Sequence, residues 1–378
     1  MSIHRDEGRD VLAETQLAKD LREPAALAEQ VSGWLAGHLA AAGPVRVTDV
    51  RAPSGSGMSC VTLVMDCAWE GTEGAREQRL VTRIAPDPES YPVFPSYDLS
   101  LQYDVMAGVR DHADVPVPPL VGLEGSGEVI GSPFLVMEHV TGEAPLDNPP
   151  YVFGGWLLDA SAPDRAALEE ATLDIIGRIH GITEPRLVFP RLAALAGEDA
   201  LRAHVASQRA YYDWTHRVDG IRVPVLERTF DWLERHWPED SGDAVLSWGD
   251  ARPGNILWDG FRPTAVLDWE MAALAPREVD VAWYIFIHRF FQDIATVFEL
   301  PGIPDLAQPE KVAATYERLT GHELRDLQWY VVYAALRHGI VMAQIMRRRA
   351  HFGEETRPDD PDDYVMHRAA LEQLLEES

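Results

Sequence analysis

Short apolar runs separated by polar turns dominate the first third of the chain, after an amphipathic N-terminal stretch. Residues 10–42 carry leucine and valine at mixed three- and four-residue spacing, which predicts helix before Pro44. Beyond this point the β-branched and apolar runs are short, which predicts strands, with one further helix over 98–110. The predicted strands are Val45–Arg51, Val61–Ala68, Arg79–Ile84 and Phe134–Val140.

The rest of the chain has mainly helical periodicity. Apolar side chains between Ala166 and His180 recur on one face of a 3.6-residue period, and residues 199–237 are helical and rich in aromatic side chains. A strand–loop–strand pattern over 245–268 interrupts the helices. Further helices are predicted over 279–298, 309–319, 323–350 and 364–376.

This order of elements predicts an α+β fold with two lobes. An N-terminal helical extension covers 1–42, a small antiparallel-sheet lobe 43–141, and a large, mostly helical lobe 142–378, with DNPPY at the start of the last as a linker. Ligands commonly bind in clefts between domains, so we expect the functional site between the lobes.

Composition excludes several partners. The chain has 378 residues and a formal net charge of −28, so we expect neither nucleic acid nor an anionic membrane surface as a partner. No apolar run reaches the roughly 18 residues that a spanning helix needs. Lysine occurs only at Lys19 and Lys311, so a cationic site between them must use arginine.

The cysteine content and the N-terminal residues indicate in which cellular compartment the protein is expected. Cys60 and Cys67 are too few for a disulfide framework or an all-cysteine zinc site, and this usage fits a reducing cytoplasm. The first ten residues are charged and lack an apolar core, which predicts no signal peptide. We therefore expect a cytoplasmic protein.

The residues that carry chemistry lie in LSWGDARPGNILW at 246–258 and AVLDWE at 265–270. Phosphoryl transfer needs a carboxylate to orient and deprotonate a hydroxyl, here Asp250, and oxygen ligands for Mg²⁺, here Asn255 and Asp268. An Asp-x4-Asn loop alone is also typical of a polar hairpin with turn and cap residues. The second aspartate and the flanking apolar strands favour the phosphoryl-transfer interpretation.

These motifs resemble those of the aminoglycoside phosphotransferase family, which has the bilobal protein-kinase-like fold, and the resemblance extends over about residues 40–350. The family pattern is His-Gly-Asp-x4-Asn, then Ile-Asp-Trp/Phe-Asp/Glu, and the Asp-Trp-Glu ending is similar to the branch associated with acyl-CoA dehydrogenases. The resemblance implies Asp250 as catalytic base, Asn255 and Asp268 as metal ligands, and Arg252 beside the transferred phosphate. Trp248 replaces the family's His, and we expect it to brace the loop by packing.

The resemblance also implies phosphate-binding residues in the sheet lobe. GMSCVT is similar to the family's Gly-x-Ser-Asn-x-Thr, which places Ser56, Gly57 and Ser59 in a turn whose backbone N–H groups approach phosphate. By itself such a turn is also typical of a plain hairpin. Arg83 would be the strand-borne cation that grips phosphate, with an exposed strand arginine as the alternative.

The helical partner of that cation is left open. LSLQYDVM resembles the family's Arg-Glu-Tyr-x-x-Leu, which puts Gln102 where a Glu is expected. Either Gln102 accepts a hydrogen bond from Arg83, or an acidic residue nearby takes the role. The acidic candidates are Glu89, Asp98 and Asp104.

The strand that ends in MEHV resembles the family's hinge. Its backbone C=O of Glu138 and N–H of Val140 would bind the adenine edge, and an ordinary buried strand is the alternative. Further along the chain, Asp280 resembles a family Asp that ties down the catalytic loop from a helix. His180 is expected to be a structural histidine with satisfied hydrogen bonds.

The resemblance therefore implies an ATP-dependent phosphotransferase, with ATP and Mg²⁺ as cofactors and a small-molecule hydroxyl as acceptor. The family suggests an aminoglycoside-like acceptor, and its branch equally suggests a hydroxy acid or an acyl-CoA-linked compound. An anionic acceptor would need arginine, and four arginines on late helices are candidates, although such a run is typical of a solvated face. These are Arg337, Arg347, Arg348 and Arg349.

Two other classes of function stay open. A nucleotide-binding regulatory protein without transfer activity is suggested by Trp248 and Gln102, although the intact Asp250, Asn255 and Asp268 speak against it. A protein kinase is disfavoured because Asp-Trp-Glu stands where Asp-Phe-Gly is expected, and no activation-segment pattern follows.

Overall fold

The structure of the protein is a computed structural model that divides into two compact units. The described residues are 24–52, 60–72, 74–87 and 90–376. The first unit takes the described chain up to His139 without residues 93–95 and 104–117. The second unit takes those two segments and the chain from Val140 onward.

The first unit is built around one antiparallel sheet. Its strands are β1 (Arg46–Arg51), β2 (Val61–Gly71), β3 (Gly74–Ile84), β4 (Leu120–Glu124) and β5 (Phe134–Glu138). The spatial order is β1-β2-β3-β5-β4, and each neighbouring pair is antiparallel. The β2–β3 hairpin extends past the predicted ends at Ala68 and Arg79, because polar, exposed residues continue the ladder without an apolar signal.

Helix α1 (Pro24–Ala36) contributes to the core of this unit. Leu27, Val31 and Leu35 recur every four residues, so they share one face of the helix and are buried with apolar residues of the sheet. The helix predicted to reach residue 42 ends at Ala36, because Ala42 instead donates its N–H to the Glu70 carbonyl at the end of β2. The predicted helical residues 10–23 lie outside the described chain.

Helix α2 (Leu99–His112) passes from the first unit to the second between Tyr103 and Asp104. The second unit is mainly helical. Its longer helices are α4 (Ala162–His180), α7 (Ala200–Thr215), α8 (Pro224–Arg235), α9 (Glu278–Val297), α10 (Pro309–Thr320), α11 (Leu327–His351) and α12 (Arg368–Glu376), and the short ones are α3 (Trp156–Asp159), α5 (Pro185–Val188) and α6 (Pro190–Ala196).

The predicted helices beyond residue 160 are confirmed with two corrections. The region 199–237 is not one helix, because the chain turns at Gly220 (φ +70°) and restarts at Pro224, whose missing N–H suits a first helical turn. The predicted helix over 364–376 begins at Arg368, after a 3₁₀ turn at Pro361–Tyr364.

Two small antiparallel pairs carry the motif region of the second unit. The strands are β6 (Val245–Ser247), β7 (Ile256–Asp259), β8 (Arg262–Val266) and β9 (Ala273–Ala275). β6 pairs with β9, which the sequence pattern did not predict, and β7 pairs with β8 as a hairpin. Within the described ranges, no helix is long and apolar enough to cross a membrane. The predicted α+β class is confirmed.

Candidate functional site

The loop between β6 and β7 is anchored by one buried carboxylate. Asp280, in the first turn of α9, accepts hydrogen bonds from the Ser247 hydroxyl (2.7 Å) and from the backbone N–H groups of Trp248 (2.7 Å) and Gly249 (2.9 Å). His180 Nε2 lies 3.0 Å from the same carboxylate. The structural role predicted for Asp280 is confirmed, and the loop's first residues are fixed by α9.

A second layer of contacts supports that carboxylate. The other ring nitrogen of His180, Nδ1, lies 2.7 Å from the Tyr316 hydroxyl of α10, so both nitrogens have partners and the predicted structural role is confirmed. Burial alone would raise the pKa of Asp280, but hydrogen bonds from His180 and the loop outweigh it and lower the pKa. Asp280 is therefore an ionised acceptor for the loop.

Trp248 links the loop to the following hairpin. Its indole is fully buried and packs at a tilt on Trp269, with ring centroids 5.8 Å apart. Its Nε1 also donates to the carbonyl of Leu267 at 2.9 Å. Trp248, which stands where the resembled family has a histidine, thus braces the loop by packing, as predicted. It also does so by a hydrogen bond to Leu267, the residue before Asp268.

Asp250 is held by three side chains. Its Oδ1 accepts from Arg252 Nε (2.9 Å) and from the indole Nε1 of Trp283 (2.6 Å), and its Oδ2 accepts from Asn255 Nδ2 (2.6 Å). Asn255 Nδ2 also lies 3.0 Å from the Asp250 carbonyl. Only 14% of the Asp250 side chain is exposed. The structure thus brings three of the predicted residues into direct contact.

Arg252 bridges two carboxylates. Its Nε pairs with Asp250, and its Nη1 lies 2.5 Å from Asp147 Oδ1. Burial would lower the pKa of Arg252, but Asp147 and Asp250 raise it well above its ordinary value. Sequence reasoning missed Asp147, which lies in the DNPPY segment and carries no motif signal of its own.

Asn255 and Asp268 lie at one end of the β7–β8 hairpin. The hairpin pairs Ile256 with Val266, and the N–H of Leu267 donates to the Asn255 carbonyl at 2.8 Å. Asp268 follows with φ +60°, a left-handed conformation that Asp tolerates better than most residues. Local pairing therefore brings the two predicted metal ligands together.

These residues fit Mg²⁺ in their donor chemistry. Within the described part of the chain, both hydrogen bonds of the Asn255 side-chain amide use its nitrogen, which leaves its oxygen as a ligand atom for a metal. An amide oxygen and a carboxylate are hard ligands, and Mg²⁺ takes few protein ligands beside phosphate and water. No group of three or more His, Cys, Asp or Glu suited to a metal occurs among the residues that the structure describes.

The predicted nucleotide-binding residues lie mainly in the first unit. Arg83 is half-buried on β3, between Thr62 of β2 and Leu135 of β5. Glu138 ends β5, and the chain passes to the second unit between His139 and Val140. The turn residues Ser56, Gly57 and Ser59 lie outside the described residues.

The helical acid is not identified by these contacts. Gln102 is buried on α2, with 4% exposure. Asp98 caps that helix by accepting from the Leu101 N–H (2.9 Å), and Asp104 pairs with Arg191 (3.1 Å). Glu89 lies outside the described chain.

The solvated face expected for the late arginines is wrong for two of them. Arg337 and Arg347, on α11, are 1% and 2% exposed. Arg347 pairs with the buried Asp219 side chain (3.0 Å), whereas Arg337 donates from Nη2 to the carbonyl of Gly249 (3.0 Å) in the loop between β6 and β7. The sequence singled out Arg337 as a candidate but did not predict that it contacts this loop. Its position directly after the apolar run 329–336 of α11 was the signal that could have shown it to be buried.

Comparison with known proteins agrees with this geometry. The sequence profile of the phosphotransferase enzyme family matches residues 69–331. Among curated proteins, human acyl-CoA dehydrogenase family member 11 is 25% identical over 217 residues, covering 54% of this chain and 25% of the human protein. A probable acyl-CoA dehydrogenase of Arabidopsis thaliana is 24% identical over 323 residues, covering 80% of this chain and 37% of that protein. The chain thus matches only 25% and 37% of the length of these two relatives.

Solved structures share the fold. A candidate aminoglycoside phosphotransferase of Ralstonia eutropha has a TM-score of 0.61 at 19% identity, covering 92% of this chain and 97% of that one. A mutant of aminoglycoside phosphotransferase APH(4)-Ia, solved with AMP-PNP and hygromycin B, has a TM-score of 0.53 at 18% identity, covering 92% and 98%. Ethanolamine kinase of Plasmodium vivax has a TM-score of 0.55 at 10% identity, covering 97% and 88%. The predicted protein-kinase-like fold and family resemblance are confirmed.

Proposed function

This chain belongs to the phosphotransferase enzyme family, and we propose that it transfers the γ-phosphoryl group of ATP to a hydroxyl group of a small molecule. One observation carries the proposal: Asp250, Arg252 and Asn255 are in direct contact on one loop. A held carboxylate beside oxygen donors for a metal is the arrangement that phosphoryl transfer requires.

Asp250 acts as the base in the proposed reaction. It accepts the proton of the acceptor hydroxyl while that oxygen forms a bond to the γ-phosphorus. The bond from this phosphorus to the bridging oxygen breaks, and ADP leaves with the electron pair. Arg252 keeps a positive charge beside the reacting groups, because two carboxylates hold it in place.

Asn255 and Asp268 are the residues that would hold Mg²⁺, through an amide oxygen and a carboxylate. When bound, the ion supplies charge neutralisation at the phosphates. The proposal further assigns phosphate contacts in the first unit to Ser56, Gly57, Ser59 and Arg83, and adenine contacts to the backbone of Glu138 and Val140.

The acceptor class is the open part of the proposal. The family and its dehydrogenase-associated branch point to aminoglycoside-like compounds, hydroxy acids and acyl-CoA-linked alcohols. The solved relatives named above include one bound to hygromycin B and one described as an ethanolamine kinase, so amino alcohols and amino sugars belong in the same acceptor panel.

Ligand-dependent melting temperatures test the nucleotide site. Binding to the folded state alone raises the melting temperature, so we expect a rise that needs both ATP and Mg²⁺. The rise should vanish in Asp268→Ala and persist in Asp259→Ala, a matched change at the exposed turn of the same hairpin. GTP in parallel establishes the nucleotide preference. No rise at millimolar ATP with Mg²⁺ would contradict the proposed site.

Turnover across the acceptor panel tests the transfer itself. Asp250→Ala should abolish phosphorylation of any acceptor that the wild type uses, because the acceptor hydroxyl then loses the carboxylate that orients it and takes its proton. Full turnover by this variant would refute the role of Asp250. Tight nucleotide binding without turnover on any acceptor or on water would favour the regulatory alternative instead.

A further inference from the structure

The two oxygens of Asp250 carry unequal hydrogen-bond loads. A carboxylate oxygen accepts about two hydrogen bonds. Among the described residues, Oδ1 has two donors, Arg252 and Trp283, whereas Oδ2 has only Asn255. Oδ1 is therefore saturated, and Oδ2 is the oxygen that retains a position for a further donor such as an acceptor hydroxyl.

Trp283 is placed for this contact by α9. It lies three residues after Asp280, so both project from one face of the helix toward the loop. The side chain is buried, with 3% exposure, and the 2.6 Å bond to Asp250 is the hydrogen bond that its single N–H makes. The same helix face thus fixes the backbone before Asp250 and one oxygen of its carboxylate.

Arg337 holds the indole from α11. Its guanidinium carbon lies 4.5 Å from the centre of the Trp283 ring, a cation–π distance. Its Nη2 donates to the carbonyl of Gly249, the residue before Asp250. Arg337 therefore contacts the loop on one side and the aromatic plane on the other.

The burial of the charged Arg337 side chain in the core is energetically unfavourable. It is 1% exposed, and its Nε and Nη1 have no hydrogen-bond partner within the part of the chain that the structure describes. A buried cation with unmet donors carries a large desolvation penalty. A well-packed apolar side chain at this position would avoid that cost, which points to a role beyond stability.

We propose that Trp283 is a positioning residue that, together with Arg252, saturates Oδ1 of Asp250 and thereby presents Oδ2 to the acceptor hydroxyl, and that Arg337 is a second positioning residue, which holds the Trp283 indole in place. The proposal rests on the proposed function, in which Asp250 is the base. The acceptor proton then passes to Oδ2, while Arg252 and Trp283 stay on Oδ1. Neither Trp283 nor Arg337 touches the reacting atoms.

Trp283→Phe isolates the indole N–H, because it keeps an aromatic ring for Arg337. Steady-state ATP turnover with water as acceptor, at saturating Mg²⁺, gives kcat and KM for ATP. Losing a hydrogen bond to a charged group should lower kcat by about 10- to 100-fold and leave KM for ATP little changed. Trp329→Phe is the matched control, since that indole is equally buried (4%) and donates to the Leu233 carbonyl away from the site.

The kinetics of these variants decide whether Trp283 and Arg337 position Asp250. Equal kcat losses in Trp283→Phe and Trp329→Phe, or a raised KM with unchanged kcat, would reduce Trp283 to a core residue and overturn the proposal. Arg337→Met combined with Trp283→Phe should be no slower than the worse single variant, because in the proposal Arg337 acts on Oδ1 only through the Trp283 indole. Independent, multiplying losses would remove Arg337 from the proposal.

A crystal structure of Trp283→Phe keeps the proposal testable without turnover. A rotated Asp250 carboxylate, or an added donor on Oδ1, is expected. An Asp250 that keeps its orientation, with Oδ1 bonded to Arg252 alone, would overturn it. Asp250→Asn separates this proposal from the proposed function: if that variant turns over ATP at the wild-type rate, the base assignment fails, whatever Trp283→Phe does.

Discussion

At the scale of single residues, Asp280 fixes the start of the loop between β6 and β7 from its position on α9. It is fully buried and collects hydrogen bonds from three consecutive residues of the loop and from His180. A buried charge of this kind is tolerated only because every lone pair has a donor. Its removal would leave these donors unpaired in the core.

Asp280→Ala should therefore destabilise the protein by about 3–5 kcal/mol, as loss of one partner in a buried charged network does. Urea unfolding monitored by circular dichroism measures the change. Asp66→Ala is the control: that carboxylate pairs with Arg51 and Arg79 on the half-exposed face of the first unit, and its loss should leave the midpoint near that of the wild type. Equal losses in the two variants would contradict the role of Asp280.

At the scale of elements, the loop between β6 and β7 is shaped by its close approach to the segment that precedes β9. Gly249 has φ +93°, and a methyl group added there would overlap the backbone carbonyl of Met271, which precedes β9. The β6–β9 pairing that the sequence pattern did not predict brings these two backbones together. The glycine before Asp250 is thus required by packing as well as by its dihedral angle.

Gly249→Ala should accordingly cost more stability than the same change at a glycine with free space. Gly197→Ala is the comparison, because Gly197 has φ +58° but nothing within 4 Å of an added methyl group. We expect about 1 kcal/mol for Gly197→Ala from backbone strain. Thermal unfolding of the two variants measures the difference, and a Gly249→Ala variant as stable as Gly197→Ala would show that the loop relaxes freely.

Element prediction from the pattern succeeded where a helix carries a strong apolar signal. α9 and α10 lie within a residue of their predicted bounds. α10 buries Val312 and Tyr316 on one face, whereas most residues of α9 are buried. Prediction failed where an element does not depend on the periodicity of apolar residues. The exposed part of the β2–β3 hairpin has no apolar alternation, and the break before α8 comes from local backbone geometry at Gly220 and Pro224.

At the scale of the whole molecule, buried histidines make the stability of the fold depend on pH. His204, His288 and His367 are buried, and desolvation lowers their pKa to about 3, 4 and 4, helped for His204 by the nearby Arg337. Each is neutral in the folded protein, whereas in the unfolded chain it takes up a proton near pH 6.5. Between these pKa values the unfolded chain therefore binds more protons than the folded protein does.

Because these folded-state pKa values are lowered, the stability they contribute is fully present above pH 6.5 and is lost as the pH falls toward 4. The free energy of unfolding should fall by up to about 1.4 kcal/mol per pH unit for each histidine. Urea unfolding between pH 7.5 and 4.5 tests this. His204→Gln should show a shallower slope than the wild type, and an identical slope would exclude a contribution from His204.

The sequence by itself determined the parts of this protein that are local in the chain. Asp250 and Asn255 lie on one loop and Asp268 follows the next hairpin, so their spacing and flanking apolar strands were enough to predict that their backbones lie close together. Family membership and fold followed from the same residues. The physical reason is that short-range backbone pairing brings such residues together almost independently of the rest of the chain.

Only the tertiary structure decided what surrounds them. Asp147 reaches the loop from the segment before α3. Trp283 and Arg337 come from two different helices and reach it because α9 and α11 pack on each other. Periodicity tells that a helix face is buried but not what it is buried against. Which side chain of that face meets Asp250 depends on how the helices cross, and this is settled by the packing of the whole second unit.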